Sequence, residues 1–479
     1  MGYEYDIAVI GLGPAGMAVS VMASEMGLKV CAIEQRKIGG ECMNVGCIPS
    51  KSLLRMGQIR HAVARGPAMA LGEAAAPSVG DIFAKIQAFI EEINTTKTRK
   101  MFDKVELVLG QGAAEFVDGH TVAVGDRRYS AKTVFVCVGS RPAQPPIPGL
   151  ADVPVLTNEN VFTQSDVPES LTVIGGGAIG CEMAQAFSRL GTKPVTVVHA
   201  DPHLLPFGDP ENGALLEEAF RREGIVVRNA RRIARVEKEG DRIALITDRD
   251  ERIVSQRLLL AAGRRWDLDG LRLERAGIVC GPRGIRVDKR LRTSNRSVYA
   301  PGDVNGHALF SHAAMHQGML ALMNAMMPGP FGFDFRKYVV PWTVFTEPQI
   351  SAVGSTGQQL REQGRRYEAV TSRYADYGAA IAEDIAEGWV TAFIHPVTGR
   401  IYGARIAGEG SGEMIGEWAL AVQKKLRIWD IMFLQHSFPT MSFLTKRVAE
   451  TWMMNRMPKL RGFCRRLYGS VARRPAPKE

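Results

Sequence analysis

The chain has 479 residues, of which 46% are apolar and 23% charged, and its net charge at neutral pH is +10. At about 150 residues per domain this length predicts about three domains, and the composition excludes a disordered chain, a coiled coil and a collagen-like fibre. With no apolar run of 18 residues, no secretory leader and seven cysteines, we expect a cytoplasmic protein without transmembrane helices or a disulfide framework.

The N-terminal segment has the pattern of a dinucleotide-binding unit. An apolar strand precedes a turn with Gly11, Gly13 and Gly16, a helix is predicted from Met17, and a second strand ends at Glu34. Glycine lets the backbone pass close to a pyrophosphate, and the helix N-terminus presents free N–H groups to it. Glu34, 23 residues after Gly11, is placed to bind a ribose hydroxyl.

The same pattern returns in the middle of the chain. A strand at residues 171–174 leads into a turn with Gly175, Gly177 and Gly180, then a helix predicted from Cys181 to Leu190 and a second strand. One glycine-rich turn is weak evidence, but two in this context predict two dinucleotide sites. His199 follows the last strand, where an acidic residue is typical of NAD and nearby arginines are typical of NADP. The sequence leaves that choice open.

Two cysteines five positions apart, Cys42 and Cys47, follow the first unit. Glycines precede them, and Pro49, Ser50 and Lys51 come directly after. Such a pair can close a small disulfide loop, and a helix N-terminus near Cys47 would stabilise its thiolate. The alternative, a pair of free buried cysteines, is disfavoured by the flanking glycines and the Pro-Ser-Lys segment.

The remaining elements indicate further domains. A long helical stretch is predicted over residues 82–103, and a proline-rich connector at residues 141–149 marks a domain boundary. From about residue 338 the pattern changes to strands at residues 343–345 and 389–394, followed by helices. This change predicts a separate α+β domain.

Taken together, these motifs resemble those of the pyridine nucleotide–disulfide oxidoreductase family (class I), the group of dihydrolipoamide dehydrogenase, glutathione reductase and mercuric reductase. The resemblance spans about residues 5–455 and includes residues 138–142, 261–264 and 299–304, the last similar to a second FAD fingerprint. It implies an α/β fold with two Rossmann-like dinucleotide-binding domains and a C-terminal α+β dimerisation domain. The implied parts are an FAD-binding domain at 1–150, an NAD(P)-binding domain at 151–270, a central FAD-completing region at 271–337, a dimer-interface domain at 338–458 and a basic amphipathic tail at 459–479.

The resemblance also implies cofactors, partners and site residues. Electrons would pass from NAD(P)H through FAD to a Cys42–Cys47 disulfide, or in reverse. Cys47 would face the flavin as a thiolate and Cys42 would meet the substrate. Lys51 and Glu182 would form an ion pair near flavin N5. The partners are a small-molecule electron acceptor and a second subunit, in a homodimer that shares its active sites, and no metal is implied. The implied contacts to FAD or NAD(P)H are Gly11, Gly13, Gly16, Glu34, Gly40, Lys51, Gly139, Gly175, Gly177, Gly180, His199, Gly263, Gly302 and Asp303.

The C-terminal segment departs from the family. The family's acid–base dyad lies in a His-Pro-Thr-x-Ser-Glu segment, whose register is fixed here by Pro439 and Thr440. Phe438 then stands at the position of the His, and Phe443 at that of the Glu. A positioned general base typically contributes about 10²–10⁴-fold. We therefore expect poor turnover of lipoamide and glutathione, and a non-standard acceptor: a quinone, a metal ion or an unusual disulfide. His436, two residues upstream, is a candidate for replacing the lost base.

Two alternative functions remain open at this point. The 2-ketopropyl coenzyme M oxidoreductase/carboxylase of the same family has Phe at the His position, but its second residue is a His rather than the Phe443 found here. The chain could instead bind lipoylated proteins as a component of a larger complex. Mercuric reductase has a Tyr and a vicinal cysteine pair near its C-terminus, whereas this chain has only Cys464 there. Five methionines between residues 315 and 327 have helical spacing and are interpreted as core rather than as metal ligands.

The last 21 residues carry more than half of the net charge. Residues 459–479 contain seven Lys or Arg and one Glu, so nucleic-acid binding by the body of the protein is not expected. Either the tail contacts an anionic membrane surface weakly, or it is solvated or docked on its own subunit. Helical spacing of its apolar residues predicts a basic amphipathic helix, weakened by Gly462 and Gly469, with Leu460, Phe463, Leu467, Tyr468 and Val471 on one face.

Overall fold

The chain divides into two units, Met1–Tyr338 and Val339–Glu479. The computed structural model describes residues 2–327 and 331–471, so residues 472–479, at the end of the predicted tail, lie outside the described residues. Among the described residues, no helix is both long enough and apolar enough to cross a membrane.

The first unit begins with a largely parallel sheet. Its strands are β1 (Tyr5–Ile10), β2 (Val30–Glu34), β3 (Glu106–Leu109), β4 (Ala114–Phe116), β5 (Thr121–Val124) and β6 (Arg127–Val136). The short β7 (Arg141–Pro142) lies outside this sheet and pairs with Arg264–Arg265. The order β3-β2-β1-β6 is parallel, and β5 and β4 extend it through antiparallel pairs. Residues 7–10 of β1 are all buried, because a central parallel strand is covered on both faces.

Four helices accompany this sheet: α1 (Pro14–Glu25), α2 (Gly40–Asn44), α3 (Cys47–Ala64) and α4 (Ile82–Glu92). The last of these continues as a π turn (Ile93–Thr98) and a 3₁₀ turn (Arg99–Phe102), so the helical stretch expected at residues 82–103 is present. Helix α1 begins three residues before the predicted Met17. The reason is that Gly13 is the N-cap residue and Gly16 already belongs to the first helical turn.

A second parallel sheet follows and is built in the same way. Its helices are α5 (Ala178–Arg189) and α6 (Pro210–Arg222). The strands of this part of the chain are β8 (Val155–Leu156), β9 (Leu171–Ile174), β10 (Val195–Val198), β11 (Val226–Arg228), β12 (Ile233–Glu239), β13 (Arg242–Thr247), β14 (Arg252–Ser255), β15 (Arg257–Leu260) and β16 (Arg264–Arg265). The parallel order is β11-β10-β9-β15-β8, and β12-β13-β14 form a separate antiparallel sheet. Helix α5 again begins three residues before the predicted Cys181, because the glycine motif ends inside the helix.

The chain then returns to the first sheet. Strands β17 (Cys280–Gly281) and β18 (Gly284–Ile285) pair with each other, and β19 (Val298–Tyr299) adds to β6 in parallel. Helix α7 (Ser311–Met326) packs on α1 through small residues: a Cβ on Gly318 would lie 2.5 Å from Ala15 O. Met315 and Met326 are each half-exposed. The prediction that the methionines at helical spacing belong to the core is therefore wrong for Met315 and Met326.

The second unit is an antiparallel sheet with helices. Its strands are β20 (Trp342–Val344), β21 (Ile350–Gly354), β22 (Glu368–Arg373), β23 (Trp389–Ile394) and β24 (Ile401–Ala407), in the order β20-β21-β24-β23-β22. Its helices are α8 (Gly357–Glu362), α9 (Gly378–Ala382), α10 (Ser411–Gln423), α11 (Ile428–Phe433), α12 (Phe443–Met454) and α13 (Met457–Val471). Helices α10 and α12 pack on this sheet, and each buries a tryptophan completely, Trp418 and Trp452. The predicted mixed α/β fold with Rossmann-type sheets is confirmed.

Helix α13 carries the predicted basic tail. Gly462 and Gly469 do not break it, since the helix is continuous over Met457–Val471. The rings of Phe463 and Tyr468 are 63% and 78% exposed. The side chains of Leu460 and Val471, which were also predicted on the apolar face, lie outside the described part of the chain. The two exposed rings are not docked on their own subunit.

Candidate active site

The first glycine-rich turn has the geometry of a phosphate cradle. Gly11 has a φ of +90°, and a Cβ on Gly16 would lie 1.9 Å from Gly11 O, so both positions require glycine. A Cβ built on Gly13 meets no described atom within 4 Å, which leaves space where α1 presents its N-terminal N–H groups. Beside this space, Glu34 accepts a hydrogen bond of 2.9 Å from Leu12 N. The carboxylate is thereby fixed at the edge of the cradle.

The second turn repeats this geometry. Gly175 has a φ of +118°, a Cβ on Gly180 would lie 1.9 Å from Gly175 O, and Gly177 is again open. The residue at the edge of this cradle is His199, which is buried. The two turns therefore have the same backbone geometry. They differ in the residue at the end of the second strand, which is Glu34 in one and His199 in the other.

The two cysteines lie on consecutive helices. Cys42 is within α2, and Cys47 is the first residue of the 18-residue helix α3, at its positive end. The Cys42 thiol hydrogen-bonds to the sulfur of Cys47, which also lies 3.3 Å from Ser311 Oγ. The helix N-terminus expected at Cys47 is therefore present, and a serine from α7 adds a hydrogen-bond partner.

The two sulfurs differ in proton affinity. The hydrogen bond from Cys42 lowers the pKa of Cys47 to about 6, assisted by the Ser311 hydroxyl and the charge of Lys51 and opposed by burial. The same contact with Cys47, together with burial, raises the pKa of Cys42. At neutral pH the pair of thiols therefore holds one proton, on Cys42, and one thiolate, on Cys47.

Two further predicted residues tie this pair to its surroundings. A Cβ on Gly40 would lie 2.8 Å from Gly13 Cα, so α2 starts against the first phosphate cradle. Lys51, one helical turn after Cys47, has its Nζ 2.7 Å from Glu182 Oε2 on α5. The Glu182 side chain is 6% exposed. A positive charge balanced by a buried carboxylate therefore lies near the thiolate.

A chain of hydrogen bonds joins Asp303 to the residue before Cys42. Asp303 Oδ2 accepts from Ser140 Oγ at 2.8 Å, and Arg264 Nε donates to the same hydroxyl at 2.8 Å. Arg264 also forms an ion pair of 2.5 Å with Glu41. Glu41 Oε1 is buried and has no hydrogen-bond partner among the described residues. That oxygen is an acceptor available to a ligand hydroxyl.

Three predicted glycines each precede a member of this chain of hydrogen bonds. Gly139, Gly263 and Gly302 have φ values of +72°, +106° and +90°. Residues other than glycine rarely adopt such φ values. The turns they form direct Ser140, Arg264 and Asp303 towards one another.

Phe438 and Phe443 belong to an aromatic cluster in the second unit. Their rings meet edge to face at 5.4 Å, and Phe443 stacks on Tyr377 at 6.0 Å. The Tyr377 hydroxyl donates to Thr440 O at 3.0 Å. Phe438 is 71% exposed. Neither phenylalanine can transfer a proton, and the tyrosine hydroxyl is already engaged.

His436 forms a buried pair with a glutamate. Its Nε2 lies 3.0 and 3.2 Å from the two carboxylate oxygens of Glu417 on α10, and its side chain is 5% exposed. Burial raises the pKa of Glu417, against the opposing effect of His436. The His436 ring also meets Phe443 edge to face at 6.5 Å. This enclosed position disfavours His436 as a direct replacement for the lost base.

Sequence reasoning missed several residues of these groups: Ser311, Arg264, Glu41 and Glu417. Ser311 is 264 positions from Cys47, and Arg264 is 223 positions from Glu41. No local pattern links such partners. Two of them carried a signal, because Glu41 directly precedes Cys42 and Arg264 ends the motif at residues 261–264.

Comparison with known proteins accounts for nearly the whole chain. The model of the family described as pyridine nucleotide-disulphide oxidoreductase matches residues 5–318, and the model of its dimerisation domain matches residues 340–447. The chain belongs to this family. The predicted resemblance to the class I pyridine nucleotide–disulphide oxidoreductases is thereby confirmed.

Individual relatives agree with this assignment. The chain is 34% identical over 460 residues to a dihydrolipoyl dehydrogenase of Thermus scotoductus, covering 93% of this chain and 97% of the relative. It is 32% identical to a mercuric reductase of Streptomyces lividans, covering 94% and 96%. Among solved structures, the Cu(II) complex of the HOCl-induced flavoprotein disulfide reductase RclA from Escherichia coli is similar with a TM-score of 0.84 and 25% identity, covering 94% of this chain and 99% of that one.

As a pyridine nucleotide–disulphide oxidoreductase, the chain is an enzyme that uses FAD and NAD(P)H. Its own residues fit these cofactors. The cradles at Gly13 and Gly177 are open towards helix N-termini, and the unpaired oxygen of Glu41 can accept a hydroxyl. The match to the dimerisation domain supports a homodimer.

Proposed function

We propose that the chain is an NAD(P)H-dependent flavoenzyme whose redox-active pair is Cys42 and Cys47, and whose acceptor is neither lipoamide nor glutathione. The proposal rests on one contrast between two parts of the chain. Cys47 has the surroundings of a stable thiolate, whereas Phe438 and Phe443, aligned with the family's acid–base dyad, form part of an aromatic cluster.

The electron balance of the first half-reaction follows from the two sulfurs. FAD, when bound, supplies hydride transfer between nicotinamide and disulfide. A hydride carries two electrons and one proton. The Cys42–Cys47 bond breaks, the proton resides on Cys42 and the negative charge on Cys47, so NAD(P)⁺ is formed without a proton from solvent. The lowered pKa of Cys47 and the raised pKa of Cys42 support this distribution.

Lys51 has a positioning role in this scheme. Its ammonium group and the N-terminus of α3 both favour negative charge at Cys47. Glu182 holds Lys51 by the 2.7 Å ion pair. The pair would keep the lysine directed towards the thiolate in every step.

Reduction of a disulfide substrate adds a further requirement, a group that protonates the leaving thiolate. A positioned acid or base contributes about 10²–10⁴-fold to such a step. Phe438 and Phe443 cannot supply it, and Tyr377 already donates its proton to Thr440 O. An acceptor that takes electrons without this protonation step suits the chain better.

A metal ion is the first candidate acceptor. Mercuric reductases are among the relatives, and a similar solved structure is a Cu(II) complex. Thiolate sulfur is a soft ligand that selects Cu(I), the ion that reduction of Cu(II) produces. Two Cu(II) ions would take one electron each to give two Cu(I), the Cys42–Cys47 disulfide would form again, and the Cys42 proton would leave to water.

A quinone is the second candidate. Phe438 is 71% exposed and edge-on to Phe443, and aromatic surfaces of this kind pack well on planar rings. The overall reaction would consume NAD(P)H, a quinone and one proton from solvent, and would produce NAD(P)⁺ and a hydroquinone. An unusual disulfide would have to bring its own acid group.

Anaerobic reduction followed by a panel of acceptors tests the proposal. The FAD-loaded protein is reduced with one equivalent of NADH or NADPH and then mixed with Cu(II), a soluble quinone, lipoamide or glutathione disulfide. We expect Cu(II) or the quinone to reoxidise it faster than either disulfide. Cys42→Ser should abolish the Cu(II) reaction, whereas Cys280→Ser, at an exposed cysteine, should not. Preferred use of lipoamide would refute the proposal.

A further inference from the structure

The corner after strand β10 differs from its counterpart after β2. In the first parallel sheet, Glu34 directly follows the residue that pairs with the last residue of β1. In the second parallel sheet, His199 directly follows the residue that pairs with the last residue of β9. His199 therefore occupies the register position of Glu34, beside the glycine-rich turn.

The imidazole is packed flat against that turn. A Cβ on Gly176 would lie 2.9 Å from three atoms of the His199 ring, so the ring covers the glycine directly. The His199 side chain is 3% exposed, and its Nε2 lies 2.6 Å from Asn229 Oδ1. The ring is therefore fixed in place and in orientation.

Asn229 determines which ring nitrogen carries the proton. Its Nδ2 donates to Glu217 Oε1 at 2.9 Å, and a carboxylate can only accept. The amide oxygen must then face His199, so Nε2 is the nitrogen that donates. In the neutral ring Nδ1 is an acceptor, and it is buried without a hydrogen-bond partner within residues 2–327 and 331–471.

The carboxylate near Nδ1 is also an acceptor. Asp201 Oδ2 lies 4.0 Å from it, and the Asp201 side chain is 54% exposed. Two arginines come from the end of β11 and the residues after it, but both contact Glu251. Arg228 forms an ion pair with it, and Arg231 Nε lies 3.5 Å from its second oxygen. Glu251 thus engages both guanidinium groups with a single negative charge, and Asp201 supplies the second carboxylate of this corner.

We propose that His199 and Asp201 make the enzyme selective for NADH, through the free 2′-hydroxyl of the adenosine ribose, over NADPH. A hydroxyl donates to the imidazole nitrogen or to the carboxylate. A 2′-phosphate brings only acceptor oxygens and negative charge to groups that cannot donate. The inference rests on the assignment of the second turn to the nicotinamide dinucleotide, and it is independent of the electron acceptor.

Two fragments without nicotinamide test this selectivity in the absence of turnover. The FAD-loaded protein is titrated calorimetrically with ADP-ribose and with 2′-phospho-ADP-ribose. We expect ADP-ribose to bind at least about tenfold more tightly, which is about 1.4 kcal/mol. Equal affinities, or tighter binding of the phosphorylated fragment, would overturn the inference. If neither fragment binds, the assignment of the turn fails and the inference fails with it.

A double variant tests the named residues. Asp201→Asn with Glu251→Gln removes the acceptor charge and releases both arginines, so binding of 2′-phospho-ADP-ribose should improve about tenfold or more while ADP-ribose changes little. Asp241→Asn, at the exposed turn between β12 and β13, is the matched control and should leave the ratio of affinities unchanged. FAD content and thermal unfolding establish that each variant is folded. An unchanged ratio in a folded double variant would contradict the roles given to these residues.

Discussion

At the scale of single residues, the surroundings of each sulfur determine its chemistry. Cys47 has a helix N-terminus, a thiol donor, Ser311 and the charge of Lys51. A helix N-terminus near Cys47 was part of the hypothesis drawn from the sequence, and α3 begins at that residue. It could not predict Ser311, since hydrogen bonds between residues so distant in sequence depend on how α7 packs.

The first prediction concerns the acidity of Cys47. In Cys42→Ser the hydroxyl can still donate to Cys47, so a thiolate should give the oxidised, FAD-loaded protein a long-wavelength charge-transfer absorbance. The thiolate exists above its pKa, so the band should be present at neutral pH and disappear on acidification through about pH 6. A spectrophotometric pH titration measures this midpoint.

Ser311→Ala in the same background should raise that midpoint. A hydrogen bond to a charged group contributes about 1.5–3 kcal/mol, and one pKa unit is about 1.4 kcal/mol, so we expect a rise of about one unit or more. Ser294→Ala, at an exposed serine, is the control. The assignment of the thiolate to Cys47 fails if the band survives in Cys47→Ser.

At the scale of elements, the two glycine-rich turns are one structure used twice. The motif could be predicted from its spacing, but the predicted helix starts were three residues late in both copies. The third glycine lies inside the helix and permits its close approach to the first, at Gly16 as at Gly180. Met315 and Met326 of α7 were misjudged for a related reason. Where α7 meets α1, Gly318 lies directly against Ala15.

The second prediction separates the two roles of glycine in the second turn. Gly180→Ala places a Cβ 1.9 Å from Gly175 O, so the backbone must move. We expect a loss of about 1–3 kcal/mol in the free energy of unfolding, as for other overpacked sites. The Cβ added by Gly177→Ala meets no described atom within 4 Å. The free energy of unfolding of this variant should therefore equal that of the natural chain.

Gly177→Ala should instead weaken ligand binding, because its methyl group enters the space left for a pyrophosphate. Thermal unfolding and calorimetric titration with ADP-ribose measure the two effects. If Gly177→Ala binds ADP-ribose as tightly as the natural chain, the role of Gly177 in ligand binding is wrong. If Gly180→Ala is as stable as the natural chain, the role of Gly180 in packing is wrong.

At the scale of the whole molecule, the sequence was sufficient for the fold and the family, because the diagnostic motifs are local. The α+β character of the second unit and the strand at residues 389–394 were also predicted. The contacts that complete the site were not. The Glu41–Arg264 pair joins residues 223 positions apart, and the Glu417–His436 pair joins two different elements 19 positions apart. No pattern along the chain specifies either pair.

The third prediction concerns the basic helix α13. We propose weak contact with an anionic membrane surface, because Phe463 and Tyr468 are exposed beside Arg461, Arg465 and Arg466. Each Lys or Arg near such a surface adds about 1 kcal/mol of attraction. The full chain should therefore bind liposomes containing anionic lipid in a sedimentation assay, and a chain lacking residues 459–479 should not.

Salt separates charge attraction from other causes of binding. The Debye length falls to about 3 Å at 1 M salt, so binding should fade with added salt while FAD content remains the same in both chains. Liposomes of neutral lipid are the control. Equal binding by the full and shortened chains would rule out a membrane contact through this helix.

Lipoamide turnover tests the central claim, that the segment carrying Phe438 and Phe443 lacks the proton-transferring groups of the family. Steady-state rates are measured for the FAD-loaded enzyme and for the double variant Phe438→His with Phe443→Glu. We predict slow lipoamide turnover by the natural chain and a rise of up to about 10²–10⁴-fold in the double variant, the contribution expected of a general base. Rapid lipoamide turnover by the natural chain, at the level of an ordinary dihydrolipoamide dehydrogenase, would contradict the account.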